Sequence, residues 1–428
     1  MRILLFIMSI MMINPSEMLA ENSTVDANHN ASSNITSEEY WTRPAEIKNV
    51  KGEKLKLSID KPRSYAKGTR LAQIQTLGPG NGTTACGALE PSSLIVRRNG
   101  QELQLGTDYL VDSAWGVLGI GPSPKVSIAD EVEVDYRYSL RRIDSLVRDT
   151  YGHTQIVVGQ SDLTTPQPPI LDPNQQLVAN IFVDYFSSGK NCEIFKISKE
   201  IKLDSHTSRG LIPKTLNKLK TGEPVKIINW GDSVTAGGDA SKPEARYTFV
   251  FDKMLRTKFP KADITTTVIA VGGSTSRQWL YPEKFKHPTR AKDCNFAAII
   301  NSRPDLVTIE FVNDAGLKPV EVNEVYSDIR KRLEGIGSEI ILITPHFTSP
   351  VLMPQETSRA CETREYVFAL RDFAIRNNIA LADASARWEH LQFEGLPYIT
   401  LLKNGINHPD DRGHAIFAQE LIKCFDEK

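Results

Sequence analysis

The 428-residue chain has almost no net charge, with 51 Lys and Arg against 52 Asp and Glu. That balance removes the cationic footprint of a nucleic-acid binder, whose affinity comes from neutralising phosphates. Cysteine is scarce. Five residues make no disulfide framework, and an odd number leaves at least one thiol unpaired in a monomer. No Cys/His spacing resembles a zinc site, and no glycine loop has a phosphate-binding pattern. Neither a metal nor a cofactor is therefore expected. Past the first residues there is no second long apolar run, so no membrane span is expected once the N-terminal segment is removed. With 40% hydrophobic and 24% charged residues, wholesale disorder, collagen and coiled coil are excluded. The length suffices for two or three domains, each able to bury a core without disulfides.

Residues 1–20 combine a positive charge at Arg2, an apolar run from Ile3 to Ile13 and a polar stretch ending at Ala20. The run is too short for the ~20 residues of a membrane span. The layout is that of a secretory signal peptide with cleavage after Ala20, so a secreted or periplasmic protein is expected. Residues 21–39 are rich in Asn, Ser and Thr and nearly devoid of large apolar side chains. Such a segment cannot bury enough surface to fold and reads as a disordered leader. Asn22, Asn30, Asn34 and Asn81 each begin an N-x-Ser/Thr triplet, which in an exported eukaryotic protein can carry a glycan.

Two periodicities divide the remainder. Residues 40–200 alternate with period two, the strand signal. Leu94–Arg97 and Glu102–Leu105 flank Asn99-Gly100, a pair suited to the positive φ of a hairpin turn. Val132, Val134, Tyr136 and Tyr138 alternate with charged residues, and Leu177–Phe186 is a further strand candidate. Many short strands punctuated by Gly and Pro predict a β-sandwich. Residues 201–221 are expected to form a linker. From 222 to 428 short apolar runs alternate with amphipathic helical segments. Strands are expected at Val225–Trp230, Thr266–Ala270, Leu306–Phe311, Ile340–Thr344 and Ile379–Ala382. Such alternation predicts βαβ units around a parallel sheet, whose reactive groups lie at the carboxyl ends of the strands.

Four segments fall at that edge. Gly231-Asp232-Ser233 follows the first strand, and Ala236-Gly237-Gly238-Asp239 lies just beyond. A serine there is a candidate nucleophile, though the motif alone favours a helix-capping Ser or Asp. Gly272, after the second strand, can present an unobstructed N–H. Asn313, after the third, carries a neutral amide suited to a developing oxyanion. His408 lies in the loop before the last helix, where an imidazole could take the serine proton. His414 is expected on that helix, in a packing or capping role. His346, after the fourth strand, either lines the substrate pocket or packs a loop.

Together these blocks resemble the SGNH (GDSL-type) hydrolase superfamily over residues 222–428. The resemblance implies a three-layer α/β/α, flavodoxin-like domain with a five-stranded parallel sheet. It also implies ester hydrolysis through an acyl-enzyme, with Ser233 and His408 catalytic and Ser233, Gly272 and Asn313 forming the oxyanion hole. Three positions depart from the family pattern. Ala270 stands for an Asn. Phe311 stands for a glycine and would narrow the acyl pocket. Gly405 stands where the family has its triad Asp, three residues before the histidine. Either Asp383 or Glu389 then orients the ring, or a backbone carbonyl does so, as in some two-domain carbohydrate esterases, or the protein is inactive. Export and the β domain ahead of the catalytic one favour a short acyl group, acetyl first, on a carbohydrate. The alternatives are a lipase or thioesterase of the same superfamily, and a degenerate cell-surface carbohydrate-binding protein.

Overall fold

A computed structural model describes residues 41–287, 293–354, 359 and 361–427. The signal segment, the leader and the triplets at Asn22, Asn30 and Asn34 lie outside the described residues.

The N-terminal region is built of three antiparallel sheets. The first has the order β1-β7-β3-β4, from β1 (Ile47–Lys56), β3 (Ile95–Arg98), β4 (Gln101–Glu102) and β7 (Glu131–Ser139). Asn99 and Gly100 join β3 to β4 with φ of 49° and 78°, the left-handed backbone that a tight hairpin turn requires. A small sheet orders β2 (Thr69–Arg70), β6 (Val117–Ile120) and β5 (Tyr109–Asp112). These two sheets share one core, with Val96, Val132, Val134 and Tyr136 against Leu71, Tyr109 and Leu118. Alternation along β7 produces this, since Val132, Val134 and Tyr136 are buried while Glu131, Glu133 and Arg137 face water.

The third sheet, β11-β10-β8-β9, comprises β8 (Arg142–Arg148), β9 (Thr154–Val157), β10 (Gln176–Val183) and β11 (Glu193–Lys196). Its apolar face has a different partner. Ile143, Phe182 and Phe195 pack with Phe347, Trp388, Leu391 and Tyr398 of the C-terminal half. Asn180 Nδ2 also donates to Gly395 O at 2.8 Å, so the β-rich region and the C-terminal half share a core.

The C-terminal half holds a five-stranded parallel sheet of order β13-β12-β14-β15-β16. Its strands are β12 (Val225–Gly231), β13 (Ile264–Ala270), β14 (Leu306–Glu310), β15 (Glu339–Ile343) and β16 (Ala380–Ala382). β12, β14 and β15 are near-continuous apolar runs because helices cover both of their faces. One face packs against helices α4 (Phe296–Asn301), α5 (Pro319–Glu334) and α6 (Glu365–Arg376). The other packs against α1 (Pro213–Thr221), α2 (Tyr247–Lys258) and α8 (Asp411–Lys423). Two short helices, α3 (Ser276–Leu280) and α7 (Ala384–His390), lie near the strands' carboxyl ends.

The stretch expected as a linker is built into this layered unit. Ile212, Leu216 and Leu219 on and beside α1 pack with Val225 and Ile227. Ser208 N donates to Leu381 O at 2.8 Å on the sheet edge. Polar residues at 201–208 hid this role, because they act through backbone pairing rather than through apolar periodicity.

β12 lies between β13 and β14, and from it the chain first turns one way to β13 and then crosses back to β14. Such a switch point opens a crevice beyond the carboxyl ends of the strands. Phe195 anchors the third sheet to the C-terminal half. Phe195→Ala is therefore expected to lower unfolding free energy by about 3–5 kcal/mol. Urea titration of the intact chain measures this, and a change below about 1 kcal/mol would show that the shared core is not holding the two regions together.

Candidate active site

The loop after β12 delivers Ser233 to the switch point. Its backbone is tightly wound: Ala236 N donates to Asp232 O, Gly237 N to Val234 O and Gly238 N to Ser233 O, at 2.7–3.0 Å. The turn ends at Asp239, whose φ of 60° lies in the left-handed region that Asp tolerates better than most side chains. This winding returns the chain toward Ser233, so that Ser233 and Asp239 flank one imidazole. His408 Nε2 lies 2.9 Å from Ser233 Oγ, and His408 Nδ1 lies 2.9 Å from Asp239 Oδ2. An ionised carboxylate only accepts, so a proton on Nδ1 leaves Nε2 as the acceptor for the serine hydroxyl. Gly238 permits the approach. A Cβ on it would stand 2.9 Å from ring atoms of His408, closer than packing allows.

The last helix holds the Asp239 turn from outside. His414, buried on α8, accepts from Tyr247 N at Nδ1 (3.4 Å) and donates from Nε2 to Gly238 O (3.1 Å). Burial pushes this imidazole down to about 4, so it is neutral near pH 7 and can do both at once. Ser241 N and Oγ both bond the Asp411 carboxylate, at 2.8 and 2.5 Å.

Gly272 and Asn313 lie beside the serine. A Cβ on Gly272 would be 3.7 Å from Ser233 Cβ. Asn313 N and Nδ2 both donate to Asp232 Oδ2, at 3.0 and 2.7 Å, and Asp232 Oδ1 accepts from Val234 N at 3.0 Å. The buried Asp232 thus ties the serine loop to the asparagine loop. An amide nitrogen carries two hydrogens, and its bond to Asp232 uses one of them.

Asp232 belongs to a group of three buried acids. Burial pushes it up to about 7, against the hydrogen bonds from Asn313 and Val234. Burial, followed by repulsion from Asp232, holds Glu310 well above the usual carboxylate range. Asp314 is raised to about 6, again chiefly by burial, and accepts from Ser276 N and Tyr326 OH at 3.0 and 3.1 Å.

Neither carboxylate expected to orient the base does so. Asp383 is fully buried and caps α7. It accepts from Thr344 Oγ1 at 2.9 Å, Arg371 at 3.0 Å and His206 N at 3.1 Å. With its oxygens engaged there, it is a structural ion pair. Glu389 lies on α7 with its carboxyl raised by burial. Asp239 occupies the position instead. Sequence reasoning missed it, and the signals that could have found it are the vacant family position at Gly405 and an acid placed by a Gly-Gly pair six residues after the serine.

Phe311 also differs from expectation. It is fully buried against Trp230, with ring centroids 5.1 Å apart. It extends the core of one helical layer rather than narrowing a pocket. His346 is likewise buried, between Trp388 and Phe417, and burial holds its imidazole well below the usual range. It packs the loop as a neutral ring. Among the described residues, no group of three or more His, Cys, Asp or Glu is arranged to hold a metal ion. No helix among them is long and apolar enough to cross a membrane.

Residues 230–416 match the model of the GDSL-like lipase/acylhydrolase family. Among solved structures, the chain is similar to a two-domain esterase active on acetylated mannans, at 20% identity and a TM-score of 0.40. That match covers 50% of this chain and 52% of the other, so the chain spans about half the length of that esterase. An acetylxylan esterase from Geobacillus stearothermophilus is 19% identical with a TM-score of 0.38, over 49% of this chain and 97% of that one. An alpha/beta hydrolase enzyme from the metagenome of Lake Arreo, Spain, is 19% identical with a TM-score of 0.37, over 47% and 94%. No curated protein matches the chain.

The geometry separates two aspartates. Asp239→Asn is expected to lower kcat on an ester substrate by about 10³- to 10⁴-fold with little loss of stability, because it removes the partner that selects the imidazole tautomer. Asp383→Asn should instead cost about 3–5 kcal/mol of stability by leaving Arg371 unpaired, while the folded fraction keeps its kcat. The reverse pattern in paired kinetic and urea measurements would assign the orienting acid to Asp383.

The buried acids make a second prediction. An acid kept protonated in the fold but ionised in the unfolded chain makes the fold bind more protons between the two pKa values. Stability then falls as pH rises through that window. For Asp314 the window runs from the ordinary value near 3.8 to about 6. The stability of wild type relative to Asp314→Asn is expected to fall over that range and to level off above it. Groups common to both proteins drop out of the difference. Urea unfolding at several pH values measures the difference, and a rising difference would mean that Asp314 is ionised in the fold.

Proposed function

Because residues 230–416 match the GDSL-like lipase/acylhydrolase family, we propose that the chain is an exported serine esterase. It would cleave short acyl esters, acetyl first, on a carbohydrate. One observation carries this reading: a single imidazole lies 2.9 Å from a serine hydroxyl on one side and 2.9 Å from a carboxylate on the other.

In the proposed reaction Ser233 Oγ attacks the ester carbonyl while His408 Nε2 takes its proton. The tetrahedral oxyanion is held by the N–H groups of Ser233 and Gly272 and by the second amide hydrogen of Asn313. Asp239 keeps the Nδ1–H tautomer and stabilises the imidazolium. His408 then gives the proton to the leaving alkoxide, which departs as the sugar hydroxyl and leaves an acyl-serine. A water, deprotonated by His408, attacks that acyl-enzyme, and proton return frees Ser233 and the carboxylic acid. Asp232 would act by holding Asn313 in place.

The short acyl group is supported by the packing beyond the sheet edge. Trp230 is in ring contact with Trp279, Phe296 and Phe311 at 5.0–5.8 Å, and all four are buried. Those rings fill the layer beside the end of β12, next to Gly231-Asp232-Ser233, and leave no room there for a long acyl chain. Phe311 contributes as part of this filled core, not as a pocket wall. Export rests on the composition of residues 1–20, and the carbohydrate on the β-rich region that precedes the hydrolase domain.

Turnover of p-nitrophenyl acetate and of the octanoate by wild type and Ser233→Ala tests the reading. Hydrolysis of the acetate that Ser233→Ala lowers by at least about 10³-fold is expected. Equal rates in both proteins would end the serine-esterase reading, and preference for the octanoate would end the short-acyl one.

A further inference from the structure

The loop carrying His408 is closed at its base by its own backbone. Lys403 N donates to His408 O at 2.7 Å and Gly405 N to Leu402 O at 3.0 Å, while Ser349, from the segment after β15, donates its N–H to Ile406 O at 2.7 Å. Inside the loop, the Asn404 side-chain oxygen collects the N–H groups of Ile406, Asn407 and His408, each at 2.9 Å. Two carbonyls at the turn receive donors from elsewhere. Thr164 Oγ1 donates to Lys403 O at 3.0 Å, and Thr83 Oγ1 donates to Asn404 O at 2.6 Å. Both threonines belong to the β-rich region, 239 and 321 residues away along the chain.

The tip of the loop also rests on that region. Gly405 has φ of 69°, and a Cβ on it would lie 3.6 Å from the Thr164 methyl. Ile406 is buried with Trp115 and Val117. The arrangement meets a need created by the displaced acid. In the family pattern a carboxylate within the base loop would meet the ring. Here Gly405 stands at that position and the carboxylate comes from Asp239, on a different loop. The two loops are therefore brought into register by contacts outside them: α8 bonds the Asp239 turn, while Ser349, Thr83 and Thr164 bond carbonyls of the His408 loop.

We propose that Thr83 and Thr164 are positioning residues for the general base, their hydroxyls clamping Asn404 and Lys403 so that His408 keeps both Ser233 and Asp239 within hydrogen-bond reach. The proposal rests on the esterase reading above. A carbonyl left without its donor favours rearrangement of the turn, and a shift of reacting groups by about 1 Å can cost about a hundredfold in rate.

The test is a Thr83→Val/Thr164→Val double variant of the full chain, which keeps side-chain shape and removes both donors. With p-nitrophenyl acetate, kcat is expected to fall about tenfold while KM stays within about twofold. The corresponding double serine variant, which keeps the hydroxyls, should restore kcat. Proton NMR supplies a reading independent of turnover: the His408 Nδ1–H resonance, held by Asp239, should shift or broaden in the valine variant and return in the serine variant. Wild-type kcat in the valine variant overturns the proposal, as does a loss that the serine variant fails to restore. If wild type shows no Ser233-dependent turnover, the esterase reading fails by itself and the resonance decides: unchanged in the valine variant, it overturns the clamp, and lost and restored, it supports it.

Discussion

One imidazole has to reach two oxygens at once, and both belong to the same loop. Ser233 and Asp239 are six residues apart, and the wound turn between them sets their separation. The constellation therefore reduces to the placement of His408 against a single short segment. That segment has little room for variation. Its backbone is bonded internally, Gly238 leaves space for the ring, and Asp239 lies in the left-handed region. A displacement of either wall would break one of the two hydrogen bonds on which the proposed proton transfers depend.

Support for these walls comes from different parts of the molecule. His414 and Asp411 on α8 fix the Asp239 turn, and Asp410 caps the same helix two residues after His408. The β-rich region meets the other loop through Thr83, Thr164 and Trp115. Beneath the serine, Asp232, Glu310 and Asp314 are buried close together. Burial penalises their charged forms, so they shift toward protonation instead of ionising together. Asp232 nevertheless links the serine and asparagine loops directly.

Much of the α/β half was readable from the amino-acid order. Strand periods locate β12–β16 to within two residues, because both faces of the sheet are covered and the strands become continuous apolar runs. The serine, glycine, asparagine and histidine blocks were readable for a related reason. Each follows a strand or precedes the last helix, and a parallel sheet gathers such positions at one edge.

Proximity between positions remote in the chain is what local patterning does not encode. Asp383 follows β16 and so lies at the correct edge, yet the side chains of Arg371 and Thr344 turn it into a buried cap. Asp239 carries no periodic signal at all, and its role depends on a turn whose curvature only the folded backbone shows. Phe311 sits at a position that suggests a pocket wall, but its rotamer packs it against Trp230. Nor does any local pattern join Thr83 to Asn404 across 321 residues. The sequence by itself determined the sheet and the candidate nucleophile and base at its edge, because those follow from apolar period and chain order. The tertiary structure decided which carboxylate meets the base and what holds the base loop, because those depend on the direction of side chains and on contacts between distant segments.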